Sequence, residues 1–314
     1  MSYLTYSDSL SFFNGDWEGY IAYKQFFKTA VVLGDPIVSK DTLPTAVREF
    51  KNTCSSQNIH TCFFLCTNQI VQTLLHEGYK GFLVGHEAVV DLNTFTISGK
   101  KGWSIRSSIN YAQKHNMTVE EYQFKKKRSP TIENDLKRIT QEWCEIKRMP
   151  ELDFAFGHVD FETFNDARYF ICKHNGEIVG FLTYFPIFGL QSYYLDLSRR
   201  KIDAPRGTID LLFVKSFEIL KNEGVDKLYI GYSPVPYSRN QYLSSNLFIC
   251  FKPFLEFFYP AKSEFFFKKK YATEWQPNYF FYSPRISVRL LFALVHSIYE
   301  GGLASIFFHR MKIL

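Results

Sequence analysis

No stretch of this chain approaches the roughly 18 consecutive apolar residues that a membrane-crossing helix requires. Of the nearest candidates, Leu247 to Phe258 is broken by Lys252, Pro253 and Glu256, and Ile286 to Val295 by Arg289. The opening MSYLTYSDSLSFFNGDW has no basic segment leading into an apolar one, so no secretory leader is expected. Cysteine is sparse: Cys54, Cys62, Cys66, Cys144, Cys172 and Cys250 include no C-x-x-C pair and no histidine at zinc-finger spacing. That excludes a disulfide scaffold and implies no metal site; Cys62 and Cys66 in HTCFFLC read as buried thiols on one face of a strand. Together these absences describe a cytoplasmic chain.

Aromatics are what the chain has in excess. Its 314 residues include 33 Phe, 20 Tyr and 4 Trp, enough bulky apolar area for a large core. The 37 Lys and Arg against 31 Asp and Glu leave a formal charge of +6. The length suggests two domains.

Strands alternate with helices, and the order appears twice. In the first half, Tyr20–Val38 reads as a strand pair turning near Gly34-Asp35-Pro36, followed by a helix at Thr42–Ser56, a buried strand at His60–Cys66 and a helix at Asn68–His76. A strand at Gly81–Leu92, a helix at Ser98–His115 and a short strand at Val119–Phe124 complete it. The second half opens on Tyr169–Lys173 and Ile178–Phe185, joined through Asn175-Gly176, a strong hairpin signal. Ser192–Leu197, a helix over Gly207–Asn222, a strand at Lys227–Tyr232 and a helical region at Tyr237–Tyr259 follow. Between the halves, YQFKKKRSP combines a basic run with a Ser-Pro break, and Thr131–Lys147 reads as a helix. The boundary is placed there, giving domains at 1–128 and 129–314.

Three segments carry chemistry. In Gly78 to His115 a strand ends in Gly-His-Glu, and the following helix begins with Lys100, Lys101 and Arg106, with Asn110 on the face of Arg106. Basic side chains there oppose the helix dipole, which suits a polyanion site as well as a solvated face. In Ser192 to Phe213, Asp196 stands near a strand end, Arg199 follows, and Asp210 opens a helix; a polar site at a sheet edge or plain ion pairing both fit. In Phe265 to Arg285, Lys268, Lys269 and Lys270 are set between aromatics, a pattern for stacking nucleic acid or for a half-buried strand with a lysine edge. In the tail, Ile286, Leu290, Leu294 and Ile298 form one helical stripe, expected to pack on the second domain rather than on a bilayer.

Read together, these segments resemble the phosphatidylglycerol lysyltransferase C-terminal domain family, the soluble catalytic part of lysylphosphatidylglycerol synthase. The matching residues are Gly85, Glu87, Ala88, Val90 and Leu92, then Phe95, Gly99 and Lys100, then Arg106 and Asn110. Asp196, Leu197 and Arg199 follow, with Ala204, Pro205, Gly207 and Asp210 after them. Phe267, Lys268, Lys270, Tyr271, Trp275, Pro277 and Tyr279 complete the set, which covers most of the chain.

The resemblance implies a mixed α/β fold of two tandem GNAT-like acyltransferase domains, each a mixed sheet flanked by helices. It implies an aminoacyl-tRNA-dependent aminoacyltransferase acting on a lipid hydroxyl such as that of phosphatidylglycerol, with no cofactor or metal. Asp196 and Arg199 would order the reacting ends, and Glu87 or Asp210 would meet the amino group of a cationic aminoacyl moiety, beside His86 where the family more often has an acid. Lys268, Lys270, Arg106 and Asn110 would hold the donor, and an anionic membrane surface becomes a partner at the inner face of the membrane. Two other classes fit the residues. An acyl-CoA-dependent N-acyltransferase would need a pyrophosphate loop, for which Arg206-Gly207 is the nearest approach. A non-catalytic module would grip tRNA or anionic lipid through its lysine clusters.

Overall fold

The computed structural model describes residues 10–147, 159–162, 166–233 and 261–298. It is a mixed α/β protein built on one twelve-stranded sheet. The strands are β1 (Ser11–Phe13), β2 (Gly19–Phe26), β3 (Thr29–Leu33), β4 (Ile37–Val38), β5 (His60–Cys66), β6 (Lys80–Asp91), β7 (Thr118–Tyr122), β8 (Arg168–His174), β9 (Glu177–Pro186), β10 (Ser192–Arg200), β11 (Lys227–Ser233) and β12 (Glu274–Ser283). The helices are α1 (Leu43–Ser56), α2 (Val71–His76), α3 (Trp103–Lys114), α4 (Pro130–Lys147), α5 (Thr208–Asn222), α6 (Ala261–Lys269) and α7 (Val288–Ile298). The helical expectation at Tyr237–Tyr259 lies outside the described residues.

The repeated element order becomes a repeated topology. An antiparallel pair β2–β3 leads through α1 to β5, parallel to β3; the antiparallel pair β9–β10 leads through α5 to β11, parallel to β10. The strand order is β1-β2-β3-β5-β12-β6-β11-β10-β9-β8-β7, with β4 on β2. Thus β12, late in the sequence, lies between β5 and β6, and β7, from the first half, pairs with β8.

Turn chemistry accounts for the hairpins. Asn175 and Gly176 both have positive φ (53° and 84°), the mirror-image turn that matches strand twist. The first hairpin turns at Phe27-Lys28, also at positive φ (47° and 60°), and not near Gly34-Asp35-Pro36 as expected. Asp35 instead accepts hydrogen bonds from the backbone N–H and hydroxyl of Thr67, at 2.9 and 2.5 Å, tying the segment after β3 to the end of β5. Cys62 and Cys66 are buried as expected but enter opposite cores, because Leu65 (φ 61°) interrupts the alternation of β5.

Helices cover both faces. On one, α1 and α2 pack over the first strands and α3 and α5 over the second; on the other, α7 covers β2 and β3 and α4 covers β9 and β10. The tail stripe therefore packs on the first half rather than the second: Leu290, Ala293 and Leu294 are buried against Ala22, Val31, Leu33 and Phe64. The segment Phe265–Arg285 is split between α6, which ends in the lysines, and β12, so those lysines do not edge a strand.

Candidate functional site between α4 and α7

Alternation along β12 separates the two faces. Trp275, Tyr279 and Phe281 enter the cores under α1, α2, α3 and α5, while Phe280 and Tyr282 enter the core under α7. Gln276 and Asn278 share the α7 side by the same alternation. Opposite Gln276 lies Glu87 of β6, and opposite Glu87 on its other flank lies Tyr232 of β11. The polar residues of the sheet centre thus occupy the stretch of face between α7 and α4.

The ladders are irregular at this level. Register shifts fall between Tyr229 and Tyr232 of β11, between Leu195 and Leu197 of β10, and between Asn278 and Tyr279 of β12. The parallel pairing of β10 with β11 covers only Ser192 to Tyr194, whereas that of β3 with β5 covers Thr29 to Leu33. Bulges of this kind re-aim side chains and expose backbone polar groups. Gly85 is required here, since a Cβ would lie 2.5 Å from both the Ser233 carbonyl oxygen and the Tyr232 ring.

Glu87 is only 5% exposed. Burial pushes its carboxyl up to about 7, against the opposing pull of the Lys268 charge and a hydrogen bond from the Gly231 N–H. Its Oε1 has no hydrogen-bond partner among the described residues, so a buried acceptor is left for a donor to satisfy. Burial raises the pKa of the Tyr229 hydroxyl, which is hydrogen-bonded to Gln276, and the Glu87 charge adds to that rise. Tyr232 donates its hydroxyl to the Val84 carbonyl at 2.7 Å.

Asp196 is the extra residue of the β10 bulge and is buried. Its charge acts on Tyr169 in the core under α4, which places it on the same face as Glu87. With strands about 4.8 Å apart, β10 and β6 stand roughly 10 Å from each other across β11. Arg199 lies opposite Phe181 of that core, and its guanidinium stacks 3.6 Å from the ring centre of Trp143 on α4.

The other expected residues are placed elsewhere. Asp210, in the first turn of α5, accepts hydrogen bonds from the Lys270 ammonium (2.6 Å) and from the buried Tyr271 hydroxyl, within the core shared with α3. Lys268 is buried, with its ammonium donating to the Tyr232 carbonyl at 2.6 Å and standing 3.8 Å from Glu264, so it faces the β11 bulge rather than solvent. Burial lowers the pKa of that ammonium. His86 pairs with Ser233 and Pro277, one residue out of phase with Glu87, and so projects from the opposite face; its Nδ1 has no partner among the described residues. Arg106 donates to the carbonyls of Ile97 and Gly99 and fastens the loop before α3, and Asn110 is exposed on that helix.

The nearest approach to a pyrophosphate loop is closed. Gly207 (φ 90°) starts α5, a Cβ there would lie 2.3 Å from the Ser108 carbonyl oxygen, and Arg206 donates to Ser107 at 3.1 Å. Here glycine serves the approach of α3 to α5.

Sequence reasoning passed over Tyr229, Tyr232, Gln276, Asn278 and Trp143. In sequence the first four read as ordinary strand residues, and only the insertion of β12 beside β6 brings Gln276 and Asn278 to Glu87 and Gly85. Trp143 had one available signal, an aromatic among the polar residues of α4.

The family model for the C-terminal region of phosphatidylglycerol lysyltransferase matches residues 1–282. Among curated relatives, phosphatidylglycerol lysyltransferase of Bacillus subtilis (strain 168) is 29% identical over 295 residues, covering 92% of this chain and 34% of that protein. The protein of the same name from Staphylococcus aureus (strain MRSA252) is 25% identical over 289 residues, covering 90% and 34%. The chain therefore spans about a third of the length of these relatives. Among solved structures, L-PGS from Bacillus licheniformis superposes with a TM-score of 0.82 at 26% identity, over 94% of this chain and 90% of that one. The C-terminal domain of a putative lysylphosphatidylglycerol synthetase from Agrobacterium fabrum shares the fold, with a TM-score of 0.80 at 20% identity over 94% and 91%. By this match along nearly its whole length, the chain belongs to the phosphatidylglycerol lysyltransferase C-terminal family.

Proposed function

We propose that this chain transfers an aminoacyl group from an aminoacyl-tRNA to a hydroxyl of phosphatidylglycerol. The relatives' names supply the acceptor and the class of reaction. The chemistry is ester exchange. The lipid hydroxyl attacks the aminoacyl carbonyl, a new C–O bond forms, the bond to the tRNA ribose oxygen breaks, and the proton of the attacking hydroxyl passes to that leaving oxygen.

The observation that carries this reading is the buried, unfilled acceptor on Glu87. An ammonium brought against it would satisfy Oε1 and stabilise the carboxylate, as an opposite charge within about 4–6 Å does. Asp210 is less suited to that task, because Lys270 and Tyr271 already occupy its Oδ1. Tyr229 and Tyr232 beside Glu87 add aromatic walls, which favour a cation. Asp196 and Arg199, about two strands away on the same face, are placed to order the acceptor hydroxyl and the developing oxyanion.

The test is direct. The purified chain, incubated with vesicles containing phosphatidylglycerol and tRNAs charged with labelled amino acids, should yield labelled lipid. If no charged tRNA loses its amino acid faster than in the protein-free control, the proposal fails.

A further inference from the structure

The outward side of α7 is apolar where a surface helix is ordinarily polar. Val288 is 69% exposed and Phe292, one turn on, 41%; His296 continues the line and touches Phe27 of the β2–β3 turn, itself 55% exposed, with ring centres 5.4 Å apart. Phe12 extends this surface: it pairs with Ala22, which lies in the core beneath α7, and it too is exposed. Scattered exposed apolar residues need no explanation, but a line of them on one helix and the adjoining turn does.

Along α7 and the β2–β3 turn the charge is of one sign. Arg285, Arg289 and Lys28 are exposed, and the segments 25–30 and 283–298 contain no carboxylate. A helix with apolar side chains outward and flanking arginines is the pattern of an element that lies on an anionic bilayer, with its apolar side chains among the acyl chains and its cations at the headgroups. A protein partner would be expected to answer three cations with carboxylates over a larger contact.

Position supports the same occupant. Because α7 lies on the face that carries Glu87, Tyr232 and Gln276, a bilayer meeting its outer side would bring its lipids to the face that holds the candidate site. We propose that the outer side of α7, with the Phe27-Lys28 turn, docks this chain on anionic membrane surfaces. The proposal rests on the lipid-acceptor reading only for its purpose; docking itself requires neither tRNA nor turnover.

Co-sedimentation of the purified 314-residue chain with vesicles tests it. Phosphatidylglycerol-containing vesicles should bind the protein, and pure phosphatidylcholine vesicles should bind it at least tenfold more weakly. The variants Phe292→Asp and Val288→Asp, at exposed positions and with melting temperatures unchanged, should each lose binding about tenfold. The pair Arg285→Gln and Arg289→Gln should lose binding to anionic vesicles by roughly fivefold per charge and flatten its salt dependence. Transfer to a short-chain, micelle-free phosphatidylglycerol should be retained by all of them. Loss of transfer in the wild type with vesicle binding intact would sink the catalytic reading and leave this one standing. Equal binding to neutral vesicles, or full anionic binding by the Asp variants, would overturn it.

Discussion

Lys268 donates its buried ammonium to the carbonyl oxygen of Tyr232 at 2.6 Å, on the strand residue that faces Glu87. A cation is thereby fixed next to a carboxyl that burial drives towards its neutral form. The two charges oppose the two burial effects: Glu87 raises Lys268, and Lys268 lowers Glu87.

Replacing the cation should expose that balance. In Lys268→Met the carboxyl of Glu87 loses the positive charge that lowers it, so its titration should move above about 7. The pH at which donor binding is half-maximal should rise with it. An unchanged midpoint would mean that the Lys268 field does not reach Glu87.

Glu87 also makes a contribution to pH-dependent stability. Its folded pKa of about 7 stands above its ordinary value of 4.5, so the protein favours the protonated form, and the associated stability is full below pH 4.5 and lost as pH rises towards 7. The difference amounts to on the order of 3 kcal/mol. Glu87→Gln, neutral at every pH, should remove this slope between pH 4.5 and 7 in denaturant titrations, and should weaken binding of the cationic donor. A slope identical to wild type would contradict the buried ionisation.

Trp143 holds Arg199 by its ring face. Trp143→Ala should cost stability by about 0.5–2 kcal/mol, the range for such contacts, and lower the transfer rate by freeing the guanidinium. Trp143→Phe, which keeps an aromatic face, should restore most of the rate. If Ala and Phe behave alike in kcat, the stacking plays no part in positioning Arg199.

The docking of α7 on β2 and β3 can be tested through its inner side. Leu294 is fully buried against the first-half core, so Leu294→Ala should destabilise the protein by about 2–5 kcal/mol. A loss well under 1 kcal/mol in urea unfolding would mean that the helix contributes little to the fold.

The fold was legible where local chemistry decides it. Alternation, the helical period over Gly207–Asn222 and the Asn175-Gly176 turn placed β8 to β11 and α5 within a few residues of where they lie. The first hairpin was misplaced because Phe27 and Lys28 adopt positive φ without glycine, while the more obvious turn residues Gly34, Asp35 and Pro36 serve the end of β5. Glu87, Asp196 and Arg199 were found as motifs, and they share a face. Their surroundings were hidden, since register between strands distant in sequence leaves no local trace: Gln276 meets Glu87 only through the insertion of β12. Lys268 looked like a surface cation because it sits in a run of three lysines; the helical phase of α6 turns it inward.

The insertion of β12 also fixes when the sheet centre can form. Residues 274–283 fill the middle of a sheet whose flanking strands, β5 and β6, are made some two hundred residues earlier in synthesis. Until Ser283 leaves the ribosome, the nascent chain has two unsatisfied strand edges in place of a sheet centre, and such edges invite pairing with other chains. A chain arrested before Trp275 has every residue of the Glu87 strand but cannot build the ladder that aligns it. Assembly of the candidate site therefore waits on the synthesis of β12.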